Sequence, residues 1–413
     1  MSVELSFLTM DDFDFRGKTV LLRVDFNSPV DPRTKKITDA SRIREHAETV
    51  RELSGKGAKV VILAHQGRLG DPDFIPLKQH AHILGKILKR SVSYVNDIFG
   101  ETAINKIKQL KKGDILLLEN VRTYQDESVE KPLTEQAKTP MVQGLAPLAD
   151  VFVNDAFGAA HRAHVSMIGF AVLPTVAGRV MERELRALIK ATRKPEKPCV
   201  YVLGGAKAKD SVGIVEYILS RGIADAVLTV GLVGHLFLFA RKYDLGNVNK
   251  ELLEKKGFME HLASAEDLLT RYSGQVKTPV DLAVDFEGRR SERSLIELPT
   301  QYYIKDIGNR TTEIFCEIIR NAKTIVMNGP AGVFEEKVFL YGTKAILTAI
   351  SKSKGFGMLG GGHTLAAVHE LNLIKKISYV STAGGALMDY LTGKKLPAVE
   401  ALKEAATRYG KGT

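Results

Sequence analysis

The sequence predicts an α/β protein of two domains built on parallel sheets. Three observations carry that reading. A chain of 413 residues is too long for one ordinary core and suits two. Short apolar or β-branched runs alternate with helix-period segments in both halves, and such runs imply parallel strands covered on both faces. A connector punctuated by Pro174 and Gly178 separates one alternating set from the other.

Taken in order, the first half offers strands at 19–24, 60–64, 115–118 and 151–153, with helices at 41–53 and 135–148. Ser41 stands where a cap is expected for the first of these helices. Residues 153–185 then form the seam of the chain. An apolar run ends on Asn154-Asp155, a glycine turn leads to His161, Arg162 and His164, and the connector feeds a helix from Arg179. The second half offers strands at 200–203, 226–230, 280–284, 324–327, 357–359 and 378–380. Helices are expected there at 211–221, 314–322 and 343–351. Residues 242–275 read as mostly solvated helix, and 398–408 as a last helix before two glycines. Ligands of parallel sheets bind beyond the carboxyl ends of the strands. The polar residues that follow each run are therefore the candidates for chemistry.

Composition narrows the class. Hydrophobic residues at 44% and charged residues at 26% are ordinary for a soluble globular chain. The two cysteines, Cys199 and Cys316, cannot build a disulfide framework, and they fit a reducing, cytoplasmic setting. No secretory leader pattern opens the chain, and no apolar run is long enough to span a bilayer. The formal net charge of +11 points to an anionic partner, either nucleic acid or a small phosphorylated molecule.

The strand ends of the first half gather basic residues. They carry Arg23-Val24-Asp25-Phe26-Asn27, then His65-Gln66-Gly67-Arg68, then Glu119-Asn120-Val121-Arg122, and finally His161-Arg162. Arg42 lies just inside the helix that starts at Ser41. Guanidinium forks match phosphate and carboxylate oxygens, while Asp25 and Asn27 can meet a substrate hydroxyl. The pocket suits a small, multiply anionic, hydroxylated molecule. His161 and His164 are spaced for zinc, but no third ligand follows at a recognisable spacing.

The second half reads as a nucleotide site without a Walker motif. Gly204-Gly205-Ala206-Lys207 joins a strand to a helix, as do Gly360-Gly361-Gly362-His363-Thr364 and Thr382-Ala383-Gly384-Gly385-Ala386. Glycines there let phosphate approach the N–H groups of a helix N-terminus, and Lys207 adds a point charge. Asn328 opens another such loop, Glu335 can take ribose hydroxyls, and Gly231 leaves room for a flat base. G-x-x-x-x-G-K-[ST] is missing, and no clear G-x-G-x-x-G follows the first strand of either half, which excludes P-loop enzymes and argues against dinucleotide dehydrogenases.

Together these motifs closely resemble the phosphoglycerate kinase family over essentially the whole chain. The signatures are Arg23–Asn27, 117–122, 155–164, 204–207, 306–308, 328–335 and 381–386, in the family's order. Ser211, Met327, His363 and Ala383 depart from the commonest pattern and look like the archaeal branch. The resemblance implies two Rossmann-like domains with parallel sheets. Residues 1–173 would bind 3-phosphoglycerate or 1,3-bisphosphoglycerate, 174–186 would be a hinge, 187–392 would bind the nucleotide, and 393–413 would return to the first domain.

It also assigns roles. Asp25, Phe26, Asn27, Arg42, His65, Gln66, Gly67, Arg68, Arg122 and Arg162 would bind the phosphoglycerate. Gly205, Lys207, Gly231, Asn328, Glu335, Gly360, Gly361, Gly362, His363 and Thr364 would bind ADP or ATP with Mg²⁺. Arg42, Lys207, Gly362 and Gly385 would stabilise the moving phosphoryl group, which needs positioning and positive charge more than covalent help. With His363 in place of the family's usual Asp, the metal ligands stay unassigned. The expected protein is a cytoplasmic monomer that binds neither nucleic acid nor membrane. A basic nucleic-acid-binding protein is the alternative, and a stacking surface is its missing feature, since the chain has no Trp.

Overall fold

The computed structural model describes residues 6–205 and 207–410. Ala206 of the glycine-rich run, residues 1–5 of the first domain and residues 411–413 of the C-terminal segment lie outside the described residues. The chain divides into two compact units, Met1–Arg186 with Lys395–Thr413, and Ala187–Lys394.

The first unit is built on six strands: β1 (Thr19–Arg23), β2 (Lys59–Leu63), β3 (Ser93–Tyr94), β4 (Ile115–Leu117), β5 (Val151–Asn154) and β6 (Thr175–Ala177). They pair in parallel in the order β3-β4-β2-β1-β5-β6. Alternate residues of a strand face opposite sides. Accordingly Val20, Leu22, Val60 and Ile62 fill one core while Leu21, Val61 and Leu63 fill the other. In register, Arg23 lies beside both Leu63 and Asn154. The loops leaving β1, β2 and β5 therefore emerge side by side. Helix Pro397–Tyr409 packs back onto this unit: the Ala398 N–H donates to Ala160 O at 3.2 Å and the Tyr409 hydroxyl to Val172 O at 2.7 Å.

In the second unit, β7 (Cys199–Leu203), β8 (Ala226–Thr229) and β9 (Val276–Lys277) come first. A separate antiparallel sheet follows, made of β10 (Asp281–Phe286), β11 (Arg289–Ser294) and β12 (Ile304–Ile307). Then β13 (Thr324–Asn328), β14 (Phe356–Gly360) and β15 (Tyr379–Val380) complete a six-stranded parallel sheet in the order β15-β14-β13-β7-β8-β9.

Four local expectations are corrected. The connector at 173–178 holds β6, because β-branched Thr175 and Val176 extend the sheet past Pro174, whose carbonyl accepts the Phe152 N–H at 2.9 Å. The run at 280–284 is not parallel; it is the centre of the antiparallel trio. The helix expected at 135–148 breaks into Leu133–Gln136 and Pro140–Leu145, since Pro140 cannot continue a helix and takes a first-turn position instead. Ser41 does not cap its helix: it is the first helical residue, and its own N–H donates to Asp39 Oδ1 at 2.8 Å.

Candidate active site

In the first unit β1 ends on Arg23, which is 1% exposed and committed to the fold. Its Nε donates to Ser166 Oγ at 2.8 Å, Nη1 to Val24 O, and Nη2 to His65 Nδ1 at 3.0 Å. Ser166 Oγ in turn donates to Glu127 Oε1 at 2.6 Å. Because Nδ1 of His65 accepts, the imidazole proton sits on Nε2. Burial, then the Arg23 charge, pushes His65 well below its usual range, so it is neutral.

Around this buried chain lie cations that repel one another. Burial, then the charges of Arg162, Arg23 and Arg68, lowers the Arg122 guanidinium to about 10. Burial, then Arg162, Arg122 and Arg23, lowers His164 to about 3. Such crowding is a standing cost that a bound anion relieves. The His164 imidazole is therefore neutral, set among guanidinium charges, and Arg162 Nε lies 3.3 Å from His161 Nε2.

Asp25 is buried at the edge of the same cleft. Burial would raise its carboxyl, but the guanidinium charges nearby, Arg42 foremost and then Arg23, outweigh burial and hold it at about 2. Arg42 Nη1 donates to Asp25 Oδ2. Gly158 makes room for the pair, since a Cβ there would lie 2.5 Å from Asp25 Oδ2 and 3.4 Å from Arg42 Nη1. Asn27 Oδ1 accepts the Gly67 N–H at 2.8 Å, and Gly67 O accepts from Arg122 Nη1. Gly67 has φ +65°, and a Cβ would meet Phe74 N at 2.6 Å. Arg68 is exposed.

Two expected ligands have side chains spent on the scaffold. Phe26 is fully buried and stacks on His80 with ring centroids 6.3 Å apart. Gln66 is also fully buried: it accepts the Ser28 N–H at 2.8 Å and donates to Ser28 O and Asp73 O at 3.0 and 3.1 Å.

In the second unit β7, β13 and β14 end side by side, with Asn328 opposite both Leu203 and Gly360. Their loops, with Lys207, Ser211, Gly362, Gly384 and Met388, line a cavity of about 190 Å³. A second cavity of about 190 Å³ adjoins it through Gly205, Pro330 and His363, and reaches Gly231, His235, Ile304, Lys305 and Glu335. Gly361 has φ +87°, and a Cβ there would press on Asn328 Oδ1 at 2.8 Å, so only glycine lets this turn close. The helix Gly362–Glu370 begins immediately afterwards. Its first N–H groups lack intrahelical partners.

Asn328 Oδ1 is buried and has no partner among the described residues, an unspent acceptor at the cavity wall. Thr364 lines the first cavity but is fully buried, and its Oγ1 accepts the Gly329 N–H at 2.8 Å, which pins the loop after β13. His363 and Glu335 are both more than half exposed, with Nδ1 and Oε1 4.0 Å apart. Gly360 and Gly385 line neither cavity: Gly360 closes β14 beneath Leu387, and Gly385 starts the short helix Gly385–Leu391. Asp306, from the 306–308 motif, is structural. Burial raises its carboxyl to about 6, and it accepts from Gly342 N–H and Arg290.

Sequence reasoning missed His235, Lys305 and Met388 as lining residues. His235 had a signal, a lone polar ring in an otherwise apolar helix, Gly231–Ala240. Among the described residues no group of three or more His, Cys, Asp or Glu side chains is placed to hold a metal ion.

Comparison with known proteins bears on both units at once. A family model described as phosphoglycerate kinase matches residues 10–394. A phosphoglycerate kinase of Methanobacterium bryantii is 49% identical over 97% of this chain and 98% of its own length. One from Thermococcus onnurineus is 44% identical over 97% of each. The crystal structure of phosphoglycerate kinase from Pyrococcus horikoshii OT3 superposes with a TM-score of 0.87 at 42% identity, covering 97% of this chain and all of that one.

Proposed function

Because the chain belongs to the phosphoglycerate kinase family and catalyses reversible phosphoryl transfer between 1,3-bisphosphoglycerate with ADP and 3-phosphoglycerate with ATP, we propose a division of labour between its two units. The first unit binds the phosphoglycerate and the second binds the nucleotide. The observation that carries this is the crowding of Arg122, Arg162, Arg68 and Arg23 against one another at the strand ends of the first sheet.

Arg122, Arg162 and Arg68 hold the distal phosphate and carboxylate, with the His65 Nε2–H as a neutral donor. Arg23 works from beneath, fixing the His65 tautomer. Asn27 and Gly67 shape the loop. Phe26 and Gln66 support it from the core side. Arg42 gives one amino group to Asp25 and keeps the other for the phosphoryl group. Lys207 and the N–H groups at Gly362 and Gly385 contribute the remaining positive field. Gly205, Gly360, Gly361, Asn328 and Thr364 shape the phosphate loops, and Gly231 and Glu335 serve the nucleoside.

The donor set around His363 offers imidazole and one carboxylate, a poor match for Mg²⁺, which prefers oxygen and keeps several waters. We therefore assign Mg²⁺ to the nucleotide's own phosphates, with His363 touching phosphate and not metal. We place the hinge at the far end of 174–186, where the chain leaves the first unit after Arg186, since 175–177 are strand β6 of that unit's sheet, and the protein in the cytoplasm as a monomer. Its two cysteines are free and buried, and no helix among the described residues is long and apolar enough to cross a membrane.

The test is a coupled assay on two variants. Arg122→Ala should raise the KM for 3-phosphoglycerate about tenfold or more while leaving that for ATP unchanged, and Lys207→Ala should spare 3-phosphoglycerate affinity. Equal effects of each variant on both substrates would sink the division.

A further inference from the structure

His235 is the least explained polar group of the second unit. It sits in the helix Gly231–Ala240, among Val233, Leu236, Phe237 and Leu238, and it is 5% exposed. Its ring lines the cavity that also holds Gly231, Ile304, Pro330 and Glu335. Nδ1 is sealed from solvent and has no hydrogen-bond partner among the described residues. Among the described residues nothing pairs with the other ring nitrogen, and that nitrogen is not sealed.

A neutral imidazole carries one proton and must place it on one of the two nitrogens. An orphaned buried N–H is a rarer and costlier feature than an orphaned lone pair. The proton therefore belongs on Nε2, with the bare lone pair of Nδ1 left against the protein. Burial lowers this imidazole to about 4, so the ring is neutral at ordinary pH and the tautomer question is well posed. The His235 Nε2–H is then a donor in a cavity wall that also holds Gly231, Leu232, Ile304, Pro330 and Val333, with the polar side chains of Lys305, Glu335 and His363 lining it too. Gly231 has φ +54°, and a Cβ there would stand only 3.0 Å from Pro330 O, so the mouth beside His235 is kept free of side chain.

We propose that His235 is a specificity-determining residue that reads the nucleobase, its Nε2–H donating to an acceptor on the edge of a purine. The proposal rests on the reading of this cavity as the nucleoside site. Adenine and guanine both carry ring-nitrogen acceptors, so the contact favours a base over no base more than one purine over the other. In a site that excludes water, a polar group made for one contact discriminates against a ligand that leaves it unpaired.

The experiment uses calorimetry on the full chain with two probes, ADP and ribose 5-diphosphate, which lacks the base. Three proteins are compared: wild type, His235→Leu and His235→Asn. His235→Leu should weaken ADP by about three- to tenfold and leave ribose 5-diphosphate unchanged. His235→Asn, which keeps a side-chain N–H donor, should recover most of the loss. Nitrogen NMR of the imidazole should show the Nε2–H tautomer, with the Nε2 resonance moving on addition of ADP. Equal weakening of both probes by His235→Leu would mean a structural role and overturn the proposal, and so would undiminished ADP binding. If wild type binds ADP no more tightly than ribose 5-diphosphate, the nucleoside reading of the cavity fails instead. A variant that does not fold leaves the imidazole tautomer and its response to ADP, read on wild type, to decide.

Discussion

At the residue scale, the Asp25–Arg42 pair separates what sequence can see from what it cannot. Both residues were legible as charged groups at strand and helix ends. Their pairing was not, because it depends on Gly158, distant in sequence, leaving space for two side chains. Phe26 stands beside Asp25 in one run and Gln66 beside Arg68 in another, yet their environment, not their identity, commits them to the core. If Arg42 stabilises the transferring group, Arg42→Ala should cut kcat about 10³-fold or more with a much smaller change in KM. Near-normal kcat with a raised KM would reassign it to ground-state binding. Asp25 titrates at about 2 in the fold against about 3.9 unfolded. The unfolded chain therefore takes up the proton first as pH falls. Asp25 contributes about 2 kcal/mol that is present above about pH 4 and lost between about pH 4 and pH 2. The stability gap between wild type and Asp25→Asn should narrow over that range in denaturant titrations. A constant gap would show that the charged carboxylate is not what stabilises.

At the scale of elements, the long apolar strands were legible, and so was β15, Tyr379–Val380, which falls in the run expected at 378–380. β3 and β9 were not, because Ser93–Tyr94 and Val276–Lys277 are too short for any period to show. β11, Arg-Arg-Ser-Glu-Arg-Ser, has no apolar residue and is a strand because β10 pairs with it. The start of helix Arg179–Thr192 shows a device equally hidden from local pattern. Its Val180 and Met181 N–H groups donate to Asp155 Oδ1 at 2.8 and 3.3 Å. The cap is thus supplied from the end of β5, more than twenty residues upstream. The other oxygen, Oδ2, lies 2.7 Å from His46 Nδ1, and His46 Nε2 accepts the Asp25 N–H at 3.2 Å. Asp155→Ala strips three buried groups of their partner and should cost about 2–4 kcal/mol, read as a shift in the urea midpoint. A loss below about 0.5 kcal/mol would mean that water replaces the carboxylate there.

At the scale of the whole molecule, length and the two alternating sets predicted two units, and the family resemblance gave 393–413 as the segment that returns to the first; the fold divides the chain after Arg186 and after Lys394. Helix Pro397–Tyr409 buries Ala398, Val399, Ala401, Leu402 and Ala405 against the first unit. Removing residues 395–413 should destabilise that unit by on the order of 5 kcal/mol, a large part of an ordinary domain's stability. ADP binding by the second unit should persist, and loss of both together would show that the units do not fold independently. If the hinge lies at the far end of 174–186, scattering on the ternary complex should give a smaller radius of gyration than the free protein, and an unchanged radius in a competent complex would remove it. The returning helix has a further consequence for how the protein is made. The ribosome releases the first unit's strands early but supplies that unit's last helix only after the roughly 200 residues of the second unit. At about 5–20 residues per second the nascent first unit waits about 10–40 s with an uncovered apolar face. That interval is when a chaperone would find a binding site on it, one that the finished chain no longer offers.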